Sequence, residues 1–175
     1  GTFVDVNPGM NRTGIDQDRI DAVASLVCEL SDFRGLHYYD GHMHIADLKE
    51  RERAAHAGYA KLMQLVDACE RAGRPSPEVV TTGTPALLCA TSFSPFGKGR
   101  FIHAVSPGTV VYGDCTSLNE IPRELLDYRA AALVVATVVS HPMPGRITCD
   151  AGHKSVSADA GVPTCQVLGH PDWTP

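Results

Sequence analysis

Residues 3–14, FVDVNPGMNRTG, decide how the rest of the chain is read. Phe3, Val4 and Val6 around Asp5 give the apolar alternation of a strand, a glycine-containing turn follows, and Arg12 arrives at the strand's end. That guanidinium either caps the turn or holds a carboxylate or oxyanion, for which its planar fork is suited. The choice matters because strand ends are where α/β proteins keep their chemistry.

The next ninety residues supply the context. From Ile15 to Leu30 the apolar residues Ile20, Val23, Leu26, Val27 and Leu30 recur at helical spacing, with Asp16 and Asp18 near the start. GLHYYDGH (35–42) reads as a short strand closed by Asp40-Gly41, and a long helix is expected from about Ile45 to Ala72, with Leu48, Ala55, Tyr59, Leu62, Val66 and Cys69 on its buried stripe. Gly73, Pro75 and Pro77 end it, and Val79-Val80 open a third strand running into TTGTPALLCA. Strands alternating with helices imply parallel strands joined by crossover helices, in a doubly wound sheet or a β/α barrel. Either architecture gathers Arg12, His37 to His42 and Thr82 to Pro85 on one face.

After about residue 100 the texture changes to HAVSPGTVVYGD (103–114), AAALVVATVVS (130–140) and GRITCDAGHKSVS (145–157). Connections such as Pro142 to Gly145 are too short for a crossover helix, so these runs are read as antiparallel strands. A β-rich domain is therefore expected to begin between residues 97 and 130.

The bulk properties narrow the partners. A chain of 175 residues, 43% hydrophobic and 20% charged, can bury one substantial core. A net charge of -5 with scattered Lys and Arg argues against nucleic acid or an anionic membrane and for a small ligand. The longest apolar run, Ala130 to Val139, is shorter than the roughly 18 residues of a membrane span. Six cysteines without a C-x-x-C pair read as mostly buried, reduced thiols of a cytoplasmic protein.

Several residues could carry chemistry, each with a plainer reading beside it. In TTGTPA (81–86) the N–H groups of Gly83 and Thr84 with the hydroxyls of Thr82 and Thr84 could cradle a phosphate, or the turn could satisfy only its own backbone. HYYDGHMH offers five His and Tyr side chains, but alternation lets only His37 with Tyr39, or His42 with His44, share a face. Acid/base or substrate contacts for His37 and Tyr39 are favoured over a metal site. Lys154 in DAGHKS could be a nucleophile, although a polar turn is the simpler account. No G-x-S-x-G, Walker loop, G-x-G-x-x-G or H-E-x-x-H occurs.

Taken in order, these motifs resemble a known family. DVNPGMNRTGI, GLHYYDGH and TTGTPA are similar to the arginine-bearing strand end, the following strand and the phosphate loop of the alanine racemase-like barrel that binds pyridoxal 5'-phosphate. PGTVVYGD and DAGHKSVSADAGVP resemble the linker and β domain of its D-threonine aldolase and D-serine dehydratase branch. The resemblance implies an α/β fold: a partial, TIM-type β/α barrel over residues 1–100, then a linker and the first part of an antiparallel β domain over 101–175.

The same resemblance implies roles. Arg12 would lie by the cofactor's phenolic oxygen, Thr82, Gly83 and Thr84 would bind its phosphate, and His37 and Tyr39 would face the ring or substrate. Asp114 matches the linker aspartate, whereas Val110 stands where many relatives have tyrosine. The lysine that anchors the cofactor is expected upstream of Gly1, and the divalent-metal ligands of the parent enzyme beyond Pro175, so no metal ligand is expected here. The chain then reads as the middle of a metal-dependent lyase that cleaves the Cα–Cβ bond of D-3-hydroxy amino acids, inactive alone. Its partners would be a small D-amino acid and a second copy in a homodimer. The alternatives are a D-serine or D-3-hydroxy amino acid dehydratase, and a non-catalytic cofactor-binding or partner-docking protein.

Overall fold

A computed structural model describes residues 1–121, 127, 129–152, 154–158 and 161–175. Strand β1 (Thr2–Asn7) buries Val4 and Val6 on one face and turns Phe3 and Asp5 to the other. Asn7 then organises the turn, its Oδ1 accepting the N–H groups of Gly9 at 3.0 Å and Asn11 at 2.9 Å. Gly14 has φ +95°, and a Cβ there would stand 2.8 Å from the Asn7 amide, so the return to β2 (Ile15–Asp16) requires glycine.

This corrects the expected helix start at Ile15. Ile15 and Asp16 pair in parallel with Val6 and Asn7, and the Asp16 carboxylate accepts the Asp18 N–H at 2.8 Å. That side-chain bond favours a turn over a helical first turn. Helix α1 begins later (Ile20–Glu29) and buries Val23 and Val27.

After β3 (Phe33–Tyr38), helix α2 (Leu48–Arg71) is capped by Asp47, whose carboxylate accepts the Glu50 N–H at 2.8 Å. Its buried stripe contains the expected Ala55, Tyr59, Leu62, Val66 and Cys69, while Leu48 is only half-buried and Arg51 is buried instead. Gly73 at φ +74° lets the chain turn into β4 (Glu78–Thr81). A single-turn 3-10 helix (Thr84–Ala86), helix α3 (Leu87–Ser92) and a second 3-10 turn (Ser94–Gly97) lead to β5 (Ile102–Val105).

All five strands are parallel, in the order β2-β1-β3-β4-β5. Val4, Val6, Leu36, Tyr38 and Val79 join Val23, Val27, Tyr59, Leu62 and Leu65 in one core, so the helices cover a single sheet face. A doubly wound sheet carries helices on both faces; one-sided cover with β1, β3, β4 and β5 in sequential order is that of a partial β/α barrel.

The run at 103–114 departs from expectation. Ile102–Val105 is the fifth parallel strand of this sheet, paired with Glu78–Thr81, and not an antiparallel one. Its crossover was hard to recognise because α3 is only six residues long. The chain divides into two units, Gly1–Val110 and Val111–Pro175. The second holds helix α4 (Cys115–Glu120) and an antiparallel hairpin of β6 (Val138–Met143) and β7 (Arg146–Cys149) turning at Gly145. Of the six cysteines only Cys69 and Cys89 are buried, and Cys28 is exposed. Among the described residues no helix is long and apolar enough to cross a membrane.

Strand β3 has no room for a side chain at Gly35, where a Cβ would lie 1.8 Å from the Glu78 carbonyl oxygen of β4. Leu62→Ala, at a fully buried site, is expected to cost about 2–5 kcal/mol in urea unfolding. Gly35→Ala is expected to cost more than that, because backbone must move instead of a cavity opening; a smaller loss would show that the ladder can spread.

Candidate active site

The parallel register sets Asp5 opposite His37, on the face that the helices leave open. Asp5 Oδ1 lies 2.7 Å from His37 Nδ1, a pair that fixes the imidazole ring. Tyr39 follows two residues on, and its ring lies nearly parallel to that of His37, at 7° and 6.5 Å between centroids. The expectation that these two side chains share a face is met. Arg12, exposed at the end of the β1 turn, places its guanidinium carbon 4.8 Å from the centre of the Tyr39 ring. Asp5, Pro8, Arg12, Thr13 and Tyr39 line a small depression at this end of the sheet.

The Tyr39 ring also rests on two glycines. A Cβ at Gly41 would come within 2.6 Å of the phenolic oxygen, and one at Gly83 within 3.0 Å. The phosphate-type loop after β4 is thus brought beside Arg12, His37 and Tyr39 through this ring. Thr82, Gly83 and Thr84 are all buried, and the Thr84 hydroxyl accepts from that of Thr109 at 2.7 Å. Thr82 has φ +59°, a conformation that a β-branched residue rarely adopts.

Beneath the loop lies a carboxyl group that sequence reasoning passed over. Asp40 is 1% exposed; it accepts the Tyr59 hydroxyl at 2.6 Å and the Gly83 N–H at 3.3 Å. The Thr82 hydroxyl is shared between this carboxyl and the Gly83 carbonyl, 3.0 Å away. Burial pushes the Asp40 pKa up, against the lowering effect of its hydrogen bonds. Burial, followed by the Asp40 charge, likewise raises the Tyr59 phenol. Gly83 therefore spends its N–H on an internal partner, and its missing side chain makes room for the Tyr39 ring. Arg51, also 1% exposed, donates to the carbonyls of Ile45 at 2.7 Å and Pro85 at 3.1 Å, tying α2 to both loops.

The remaining candidates lie elsewhere. Asp114 caps α4 in the second unit, accepting the Ser117 N–H at 3.0 Å. Lys154 sits in an exposed turn, and its neighbour His153 lies outside the described residues. His42 is half-buried with no hydrogen-bond partner for its Nδ1 among the described residues, and His44 is exposed. Among the described residues no three His, Cys, Asp or Glu side chains converge as a metal site needs. Asp5 and Tyr59 are further participants that the sequence reading missed; the alternation of β1 already put Asp5 on the open face and was the signal for it.

An aromatic ligand with an anionic oxygen fits the exposed Arg12 guanidinium and the flat Tyr39 ring, while the Gly83 N–H and the Thr82 hydroxyl are already engaged within the chain. Known proteins resemble this chain in sequence and in fold. The family described as "Alanine racemase, N-terminal domain" matches residues 1–116, and that described as "Putative serine dehydratase domain" matches 131–174. The chain is 25% identical over 172 residues to a 3-hydroxy-D-aspartate aldolase of Paracoccus denitrificans (strain Pd 1222), covering 93% of this chain and 43% of that protein. It superposes on the crystal structure of a D-threonine aldolase from Filomicrobium marinum with a TM-score of 0.81 and 26% identity, over 97% of this chain and 45% of the other. The chain thus spans less than half the length of either relative.

The raised pKa of Asp40 has a measurable sign. The folded chain holds this proton more tightly than the unfolded chain, so the stability linked to it is complete below the ordinary carboxyl value of 3.8 and is lost as pH rises above it. Asp40→Asn cannot ionise. Its stability relative to the unsubstituted chain is expected to improve from about pH 4 towards 7 in urea unfolding; parallel profiles for the two chains would contradict this.

Proposed function

The chain belongs to the family of alanine racemase N-terminal domains, and on that footing we propose that it is the cofactor-binding portion of a pyridoxal 5'-phosphate-dependent lyase of the D-threonine aldolase type. The observation that carries this reading is the meeting of Arg12, His37, Tyr39 and the Thr82–Thr84 loop at the ends of β1, β3 and β4.

In this reading Arg12 pairs with the phenolic oxygen of the ring, and Thr82, Gly83 and Thr84 surround the phosphate. The bound cofactor supplies a conjugated ring that accepts the electron pair left at Cα when a bond to that carbon breaks. His37, with its Nδ1 proton directed to Asp5, keeps the Nε2 lone pair to take the proton of the substrate's 3-hydroxyl. Loss of that proton converts the Cβ–OH into a carbonyl as the Cα–Cβ bond opens, and return of a proton to Cα completes glycine, with an aldehyde as the other product of a D-3-hydroxy amino acid. Tyr39 holds the flat wall against which ring and substrate are oriented. Asp114 would contact the cofactor from the linker. The second reading, dehydration at the same carbon, is favoured by the serine dehydratase match over residues 131–174.

Two measurements test the proposal. The chain is expected to bind pyridoxal 5'-phosphate in a fluorescence titration, and Arg12→Ala to weaken it by about tenfold; no binding by the unsubstituted chain would overturn the reading. Joined to the remaining length that its relatives have, it is expected to convert D-threonine to glycine and acetaldehyde, with His37→Ala slower by roughly 10²–10⁴-fold. Formation of 2-oxobutanoate and ammonia instead would establish the dehydratase, and neither product set would overturn both.

A further inference from the structure

We propose that Asp40 is a positioning residue that holds the peptide between Thr82 and Gly83 in its left-handed turn, and so sets the loop to which the phosphate role is given. The inference deepens the cofactor reading and rests on it for the loop's purpose, but the geometry stands by itself.

The peptide is gripped at both ends. Its carbonyl, from Thr82, accepts from the Ser106 hydroxyl at 3.0 Å and the Ser106 N–H at 3.3 Å, beyond the end of β5. Its N–H, from Gly83, points the opposite way to Asp40 Oδ1. The Thr82 N–H is taken by the Tyr38 carbonyl at 3.2 Å. With these bonds in place Thr82 cannot relax from φ +59° without leaving a buried polar group unpaired. Asp40 is fixed in turn by Tyr59 of α2, so the loop's conformation is referred to the longest helix of the unit.

The chain position of Asp40 adds a second consequence. It directly follows Tyr39, whose ring lies where a Gly83 side chain would stand. Adjacent residues therefore both engage one glycine, one through an aromatic ring and one through a carboxyl group. A shift of either moves the other, which couples the wall of the site to its phosphate loop. Burying a carboxyl costs stability unless its hydrogen bonds are made; here, Tyr59 and its own amide apart, those bonds are spent on this loop.

Amide hydrogen exchange followed by NMR on the whole chain separates this role from simple support of the core. Asp40→Ala is expected to speed exchange at Gly83 by about tenfold or more, with Leu36 and Val79 in the sheet unchanged. Asp40→Asn, which can still accept from Gly83 and bond Tyr59, is expected to keep the protection. Unchanged exchange at Gly83 in Asp40→Ala, or equal loss across the whole sheet, would overturn the proposal. In parallel, Asp40→Ala is expected to lose most of the preference for pyridoxal 5'-phosphate over pyridoxal, and Asp40→Asn to retain it. If the unsubstituted chain shows no such preference, the phosphate reading of the loop fails, while the exchange result still decides whether Asp40 holds the turn.

Discussion

The parallel ladder between β1, β3 and β4 is the constraint on which the rest of the first unit depends. Its two-residue period sends Val4, Val6, Leu36, Tyr38 and Val79 under the helices and leaves Asp5 and His37 on the other side. Hydrophobic burial on one face thus fixes the register, and a slip of one residue would exchange the two faces. The chemistry-bearing side chains are where they are because the core is where it is.

Two buried polar side chains extend that order from the sheet to the loops. Arg51 and Asp40 are each 1% exposed; Arg51 donates to backbone carbonyls of the connections after β3 and β4, and Asp40 accepts from Tyr59 of α2 and from Thr82 and Gly83 after β4. Loops that would otherwise rely on weak local contacts are bound to α2, which is itself packed on the sheet. Such buried polar networks are favourable only when fully bonded, and this makes the arrangement specific more than merely stable.

How much of this the sequence disclosed depended on whether a local rule was at work. The strand at Val4 and Val6 and the stripe of Ala55, Tyr59, Leu62 and Val66 follow from periodicity, and the meeting of His37 with Tyr39 from alternation. Strand β2 escaped because its two residues are set by a glycine turn and the side chain of Asp16. Strand β5 was taken for antiparallel because its crossover helix is too short to show a period. Asp40 gave no sign of burial, since an Asp-Gly pair reads as an exposed turn and only Tyr59, 19 positions away, gives it a partner. The site's outline was legible from strand ends; its long-range hydrogen bonds were not.

The Asp5 and His37 pair has a consequence for how such a protein can change. Both residues lie within strands, at ladder positions directly opposite each other, and neither depends on a loop for its placement. Insertions, deletions or wholesale exchange of the connections after β1 and β3 would remodel the rim of the depression while the imidazole kept its orientation. The surroundings of the pair could then diverge through loop length alone, with the Asp5–His37 contact inherited intact through the sheet.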